Sequence, residues 1–338
     1  MDIINNRSLK PYNTFGIKVD AKHFVEVASA AEIQEARKYL KEHSENFLVI
    51  GGGSNILFTK NFDGLVIKIN LKGKEHTGED EKHYYVKAQA GEDWDEFVSY
   101  CVDHGYAGIE NLSLIPGYVG ASPIQNIGAY GVEMKDHFHS LEYLNLSDGS
   151  VRTMQTTECR FGYRDSVFKQ ELKGKVIILS VTFKLDKIPV FKTGYGAIKE
   201  ELAILGSDEL TIKKIREAVI RIRMSKLPDP TETGNAGSFF KNPLVSKVFH
   251  DKLKSGFPQL VSFPQSDGTY KLAAGWLIEQ CGWKGKRSGD AGVHEKQALV
   301  IVNYGNATGS DIISLADQIR ASVRKKFNVN LENEVNVF

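Results

Sequence analysis

An α+β fold divided into more than one domain is what this sequence predicts, on three observations. At 338 residues the chain is too long for one ordinary hydrophobic core, so two or three domains are expected. Its first half holds many strand-like runs and few helical-period segments. Its glycine-rich turn, Gly51-Gly52-Gly53-Ser54-Asn55, follows a strand but is not the dinucleotide fingerprint. Ile56 stands where G-x-G-x-x-G needs its last glycine. This half reads as a non-Rossmann α+β domain, with mixed strands and few helices.

Taken in order, Ser29 to Glu32 is a capping box, and Ile33, Ala36, Tyr39 and Leu40 recur behind it at helical spacing. Residues 47–50 read as a short buried strand running into the glycine turn. Further strands are expected at 65–69 and 84–90. A helix is expected over 93–104, with Gly105 placed to end it. Residues 108–131 are loop-rich. Strands then follow at 141–146, 151–154 and 176–185, with Asp148-Gly149 as a hairpin signal between the first two. A long amphipathic helix over 209–226 presents Ile212, Ile215, Val219 and Ile222 on one face and stops at Pro228 and Pro230. Beyond it come a helix at 272–281 closed by Gly282, a strand at 298–302, a helix at 311–327 and an extended tail at 329–338. These elements divide the chain into residues 1–70, to which the tail 329–338 returns, 71–226 and 227–328.

Composition excludes several classes. A net charge of +1 offers no basic field for nucleic acid or an anionic membrane. No apolar run is long enough to span a bilayer, and the N-terminus lacks a leader's apolar stretch. Cys101, Cys159 and Cys281 lie far apart and form no metal or redox spacing, which suits a reducing cytoplasm. The histidines make no HExxH pattern. His137 and His139 would share one face of a strand, but no third ligand is recognisable, so no metal is expected.

Three stretches carry chemistry. The turn 51–55 can present backbone N–H groups to a pyrophosphate, or be a plain tight turn. Residues 115–131 (IPGYVGASPIQNIGAYG) form a long apolar, glycine-punctuated loop of the kind that is usually functional. Apolar side chains and backbone donors together suit a flavin. Residues 234–243 (GNAGSFFKNP) place a hydroxyl, an ammonium and an amide close together. Phe239 and Phe240 can anchor that turn and so aim Ser238; alternatively the hydroxyl bonds its own backbone.

Together these stretches resemble the UDP-N-acetylenolpyruvoylglucosamine reductase family, with an FAD-binding unit of vanillyl-alcohol-oxidase type in two subdomains and a C-terminal α+β substrate-binding domain. The resemblance also rests on residues 13–16 (NTFG), 161–168 (FGYRDSVF), 226–230 (KLPDP), 271–278 (KLAAGWLI), 293–299 (VHEKQAL) and 327–335 (FNVNLENEV). It covers nearly the whole chain. Residues 193–196 (TGYG) resemble the loop of the subclass that folds a tyrosine over the substrate.

The resemblance implies a cytoplasmic monomer that uses FAD and NADPH to reduce UDP-N-acetylglucosamine enolpyruvate in peptidoglycan precursor synthesis. Hydride from the flavin would reach C3 of the enolpyruvyl ether, and negative charge would develop on C2 and its carboxylate. Arg164 and Glu334 are implied to stabilise that charge, and Ser238 to give the proton to C2. An ion pair with Asp165 is the competing role for Arg164. Glu332 lies on the same strand face as Glu334, and only the resemblance chooses between them. FAD contacts are implied for Gly51, Gly52, Gly53, Ser54, Asn55, Gly117, Ser122, Ile124, Gln125, Ile127 and Gly128. Neither loop holds a histidine, so the FAD is expected to be non-covalent. Tyr163, Tyr195, Lys226, Asn242 and Gln297 are implied to hold the UDP-sugar, each with a surface or capping role as its alternative. Phe263 departs from a common substrate-binding tyrosine and Asn336 from a common arginine. Two rivals are another FAD oxidoreductase of the superfamily and a non-catalytic UDP-sugar-binding protein. Loss of Ser238, Arg164 or Glu334 would have favoured the second, and all three are present.

Overall fold

The computed structural model describes residues 1–206 and 209–338. They form two compact units.

The first unit comprises Met1–Arg7, Ala21–Gly53 and Phe62–Ser225. One of its sheets runs in the order Ile4–Ser8, Asp20–Val27, Phe62–Ile69, Phe47–Ile50. Its last three strands are parallel, which requires a crossover, and the helix Ala30–His43 supplies it. Ser29 caps that helix by accepting the Glu32 amide at 3.2 Å, and Glu32 reaches back to the amide of Ala28 at 2.6 Å. The second sheet is antiparallel, in the order Val151–Gln155, Phe138–Asn145, Val176–Asp186, His83–Gln89, Lys74–Glu79. The helix Trp94–Asp103 lies on it, capped by Asp93. Its Trp94 and Phe97 rings meet Phe183 of the central strand at 5.7 and 5.0 Å, and one apolar core joins both sheets.

The expected 209–226 helix begins only at Ile212, because the Thr211 hydroxyl accepts the Lys214 amide at 3.3 Å and starts it there. Its expected apolar face is buried, against Ile198 of a helix at Gly196–Leu205 that the periodicity did not single out. That helix opens on a glycine and has no capping side chain, so it carries no start signal.

The second unit comprises Ser8–Asp20, Ser54–Asn61 and Lys226–Phe338. Its main sheet is antiparallel, in the order Gly234–Ser238, Val300–Asn303, Ala291–Val293, Arg287–Ser288. A smaller sheet joins Leu244–Val245, Tyr270–Leu272 and Ser262–Pro264. The helix expected at 272–281 runs Ala274–Gln280, because Leu272 is used as a strand partner of Ser262. The helix Gly309–Phe327 starts at Thr308, whose hydroxyl and the Asp311 carboxylate form a capping box. The tail is mostly irregular. Only Asn336–Val337 is strand, parallel to Ile56–Leu57. Among the described residues, no helix is long and apolar enough to cross a membrane.

Candidate active site

In the first unit the two glycine loops pack on each other. Tyr118 of the long loop lies across the turn. A Cβ on Gly52 would meet the Gly117 Cα at 3.1 Å and the Tyr118 ring at 3.3 Å. Glycine is needed at this position for close approach rather than for a particular φ. The 115–131 loop is held from beneath, with Val119 and Gly120 donating to the carbonyls of Glu92 and Ala90. Ser122 is buried and its hydroxyl donates to Val119 at 2.7 Å, so its side chain already has a structural use. Ile124 is exposed, whereas Ile127 is half-buried against the core. The loop then closes as a hairpin, Gly128–Ala129 pairing with Val132–Glu133.

Arg164 sits in a tight turn at φ +53°, between Gly162 and Asp165, which bridge each other. Its guanidinium donates to the Gly128 carbonyl at 2.7 Å and reaches the Asn126 carbonyl at 3.4 Å. Asp165 accepts from the Ser166 amide and the Gln170 side chain. Arg164 is therefore fastened to the long glycine loop, with its Cζ 5.6 Å from the Tyr163 ring centre. Tyr195 is 50% exposed and meets Tyr130 of the same loop edge-on, with ring centres 5.5 Å apart.

In the second unit the expected turn around Ser238 is a bulged strand. Asn235 faces Val302 and Ser238 faces Val300, so Ala236 and Gly237 together oppose Ile301. Bulges of this type re-aim a side chain and often lie beside active sites. Phe239 and Phe240 are fully buried, as expected of anchors. The Ser238 side chain makes no hydrogen bond among the described residues, which removes the self-bonded alternative. The Glu334 amide donates to the Phe239 carbonyl at 2.8 Å, and Asn333 bridges Phe240. Glu332 is directed to Lys241 at 3.6 Å and is 78% exposed. Asn55 donates to the Glu334 carbonyl at 3.2 Å. The side chain of Asn336 donates to the Asn55 carbonyl, so this departure has a local structural use.

Asn242 accepts the Ala274 amide at 2.9 Å, which secures the start of the Ala274–Gln280 helix and leaves its amide hydrogens to offer. Gln297 bends back to accept from Leu299. Lys226 ends its helix exposed to solvent.

The sequence reading missed two buried asparagines that tie segments of the first unit together. Asn126 accepts from the Lys135 amide and donates to the Gly162 carbonyl, linking the long loop to the Arg164 turn. Asn111 donates to the carbonyls of Tyr130 and Lys192, linking that loop to the segment before Tyr195. Asn126 was visible inside the 115–131 motif; nothing in the sequence marked Asn111.

Comparison with known proteins bears on the whole chain. A family model described as the C-terminal domain of UDP-N-acetylenolpyruvoylglucosamine reductase matches residues 229–338, and one for an FAD binding domain matches residues 21–155. The chain is 50% identical over 339 residues to the UDP-N-acetylenolpyruvoylglucosamine reductase of Flavobacterium johnsoniae, covering 100% of each. It is 51% identical over 337 residues to that of Amoebophilus asiaticus, covering 100% of this chain and 99% of the relative. The crystal structure of UDP-N-acetylenolpyruvylglucosamine reductase from Thermus caldophilus matches with a TM-score of 0.68 at 26% identity, covering 100% of this chain and 98% of that one.

Proposed function

The chain belongs to the UDP-N-acetylenolpyruvoylglucosamine reductase family, and from that premise we propose that it uses NADPH and FAD to reduce UDP-N-acetylglucosamine enolpyruvate to UDP-N-acetylmuramate for peptidoglycan synthesis. The observation that carries this reading is the match along the full length of both chains at half identity.

The residues present suit FAD. A glycine turn at a strand end is pressed against a second glycine loop, where any Cβ on Gly52 would crowd the backbone. Such a bare backbone surface can approach a diphosphate closely. Gly51, Gly52, Gly53, Ser54 and Asn55 are taken to cradle it, and Gly117, Ser122, Ile124, Gln125, Ile127 and Gly128 to line the rest of the cofactor, without covalent attachment. Bound FAD would supply a hydride relay between NADPH and the enolpyruvyl ether.

The protein's own work is electrostatic and proton-transferring. Arg164 presents a planar cation to the substrate carboxylate, where charge grows as C3 gains hydride. Its bonds to the long loop hold the guanidinium still, so little reorganisation is needed at that moment. Glu334 polarises the same carboxylate, and Ser238 delivers a proton to C2. Tyr163, Tyr195, Lys226, Asn242 and Gln297 hold the UDP-sugar. Phe263 brings no hydroxyl, so any phosphate bond made there in relatives is missing. The reading takes the enzyme to be a cytoplasmic monomer, with free Cys101, Cys159 and Cys281 in keeping with a reducing compartment.

Incubating the purified protein with NADPH and UDP-N-acetylglucosamine enolpyruvate tests it. The nucleotide sugar should gain two hydrogens by mass. NADPH consumption without that product contradicts the reading.

A further inference from the structure

The diphosphate within FAD carries about two negative charges, and a bare backbone turn answers them with partial charges only. Neither the 51–53 turn nor residues 115–131 contains a Lys or Arg. The chain has cations close behind them. Lys68 is the register partner of Ile50, the last strand residue before the glycine turn. It lies in the sheet only 7% exposed. Its ammonium stands 3.9 Å from the centre of the Tyr118 ring, and that ring lies across Gly51 and Gly52. Lys72 approaches the same ring at 5.2 Å.

Ordinary structural duties do not account for Lys68. Among the described residues, its ammonium makes one hydrogen bond, a long contact of 3.4 Å to the Ile69 carbonyl. Glu26 is its register partner on the other neighbouring strand, but that carboxylate accepts from Asn70 at 2.7 Å. Burial lowers the Lys68 pKa to about 8, Glu26 opposing this and Lys72 adding to it. An aliphatic residue would fill the same space without that desolvation cost.

We propose that Lys68, stacked on Tyr118 and seconded by Lys72, is the positive charge behind the 51–53 turn that holds the FAD diphosphate. Lys68 is thus a positioning residue for the cofactor, acting through the ring and the local field. The inference rests on the reading above that residues 51–55 cradle the diphosphate.

Apoprotein, stripped of flavin, can be titrated with FAD and with riboflavin, which lacks phosphate, following flavin fluorescence. For Lys68→Met the Kd for FAD should rise roughly ten- to a hundredfold, the scale of one lost charge partner. Its Kd for riboflavin should not move, and Lys68→Arg should keep most of the FAD affinity. Lys72→Met, which leaves the sheet untouched, should show a smaller loss confined to FAD. Equal weakening of both flavins would make Lys68 a packing residue and overturn the proposal. So would unchanged FAD affinity in Lys68→Met. If Lys68→Met does not fold, Lys72→Met decides alone: a loss confined to FAD supports the shared charge, and no such loss overturns it. If wild-type apoprotein takes riboflavin as tightly as FAD, the diphosphate assignment itself falls and takes this inference with it. A wild-type preference for FAD that Lys68→Met retains in full overturns the inference alone.

Discussion

The backbone amide of Glu334 donates to the carbonyl of Phe239 at 2.8 Å, which ties the glutamate's backbone to the residue that follows Ser238. Two groups nearly a hundred positions apart in sequence are thereby fixed by main-chain bonds rather than by mobile side chains. If Ser238 is the proton donor, Ser238→Ala should slow turnover by roughly 10²–10⁴-fold, the range for a positioned acid or base. Reduction of the flavin by NADPH should be nearly untouched, since no proton reaches C2 in that half. Stopped-flow traces of each half-reaction separate the cases; equal slowing of both would make the serine structural.

Arg164 is held by the carbonyls of Gly128 and Asn126. Arg164→Met should lower kcat for the sugar half-reaction by about 10²–10³-fold, as for other fixed donors to developing charge. Arg164→Lys should recover little, because an ammonium cannot reproduce the fork. Recovery to near wild-type rate in the lysine variant would reduce Arg164 to a simple point charge.

Much of this was legible in the sequence, and what was not has a physical reason. The glycine loops, the Phe239-Phe240 anchor and the long helix are local signals, and local signals fix turns, caps and buried faces. The bulge at Ala236-Gly237 was not legible, because it exists only against the register of Val300 and Val302. Nor was the choice between Glu332 and Glu334, which share a strand parity. The structure shows only how each is tied, the Glu334 amide to the Phe239 carbonyl and the Glu332 carboxylate 3.6 Å from the Lys241 ammonium. Asn111 was invisible because its partners, Tyr130 and Lys192, are brought to it by tertiary folding alone.

That asparagine gives a test of its own. Asn111 is 1% exposed and its amide holds two loops at 3.0 and 2.8 Å. Asn111→Ala strands both carbonyls, at a cost of about 1–3 kcal/mol each if they stay buried. The segment carrying Tyr195 should loosen. Limited proteolysis within residues 187–206 should quicken, and the KM for the UDP-sugar should rise with flavin reduction unchanged. Unaltered proteolysis would show that other contacts hold the segment.

Tyr195 and Lys226 are proposed to bind rather than to react. Tyr195→Phe and Lys226→Ala should each raise the KM for the UDP-sugar by roughly one to two decades, with kcat little changed. An unchanged KM in both variants would remove them from the site.

Acid stability should depend on Asp95. Burial pushes its carboxyl pKa up, but hydrogen bonds from Arg216 and the Leu114 amide, with the charges of Arg216 and Arg223, more than offset this and hold it below the usual range. A carboxyl depressed in the folded state stabilises above its unfolded pKa, about 3.9, and that stability is lost as pH falls through the folded value. Asp95→Asn should therefore lower Tm at neutral pH, with the gap to wild type closing in acid. A gap constant with pH would assign the loss to packing.

The most direct test of the central claim follows the protein's own flavin through the two halves of the reaction without oxygen. NADPH should bleach the yellow absorption of the bound FAD, and UDP-N-acetylglucosamine enolpyruvate added afterwards should restore it, with one product formed per flavin. A flavin that NADPH does not bleach, or that stays bleached when the sugar nucleotide is added, contradicts the account.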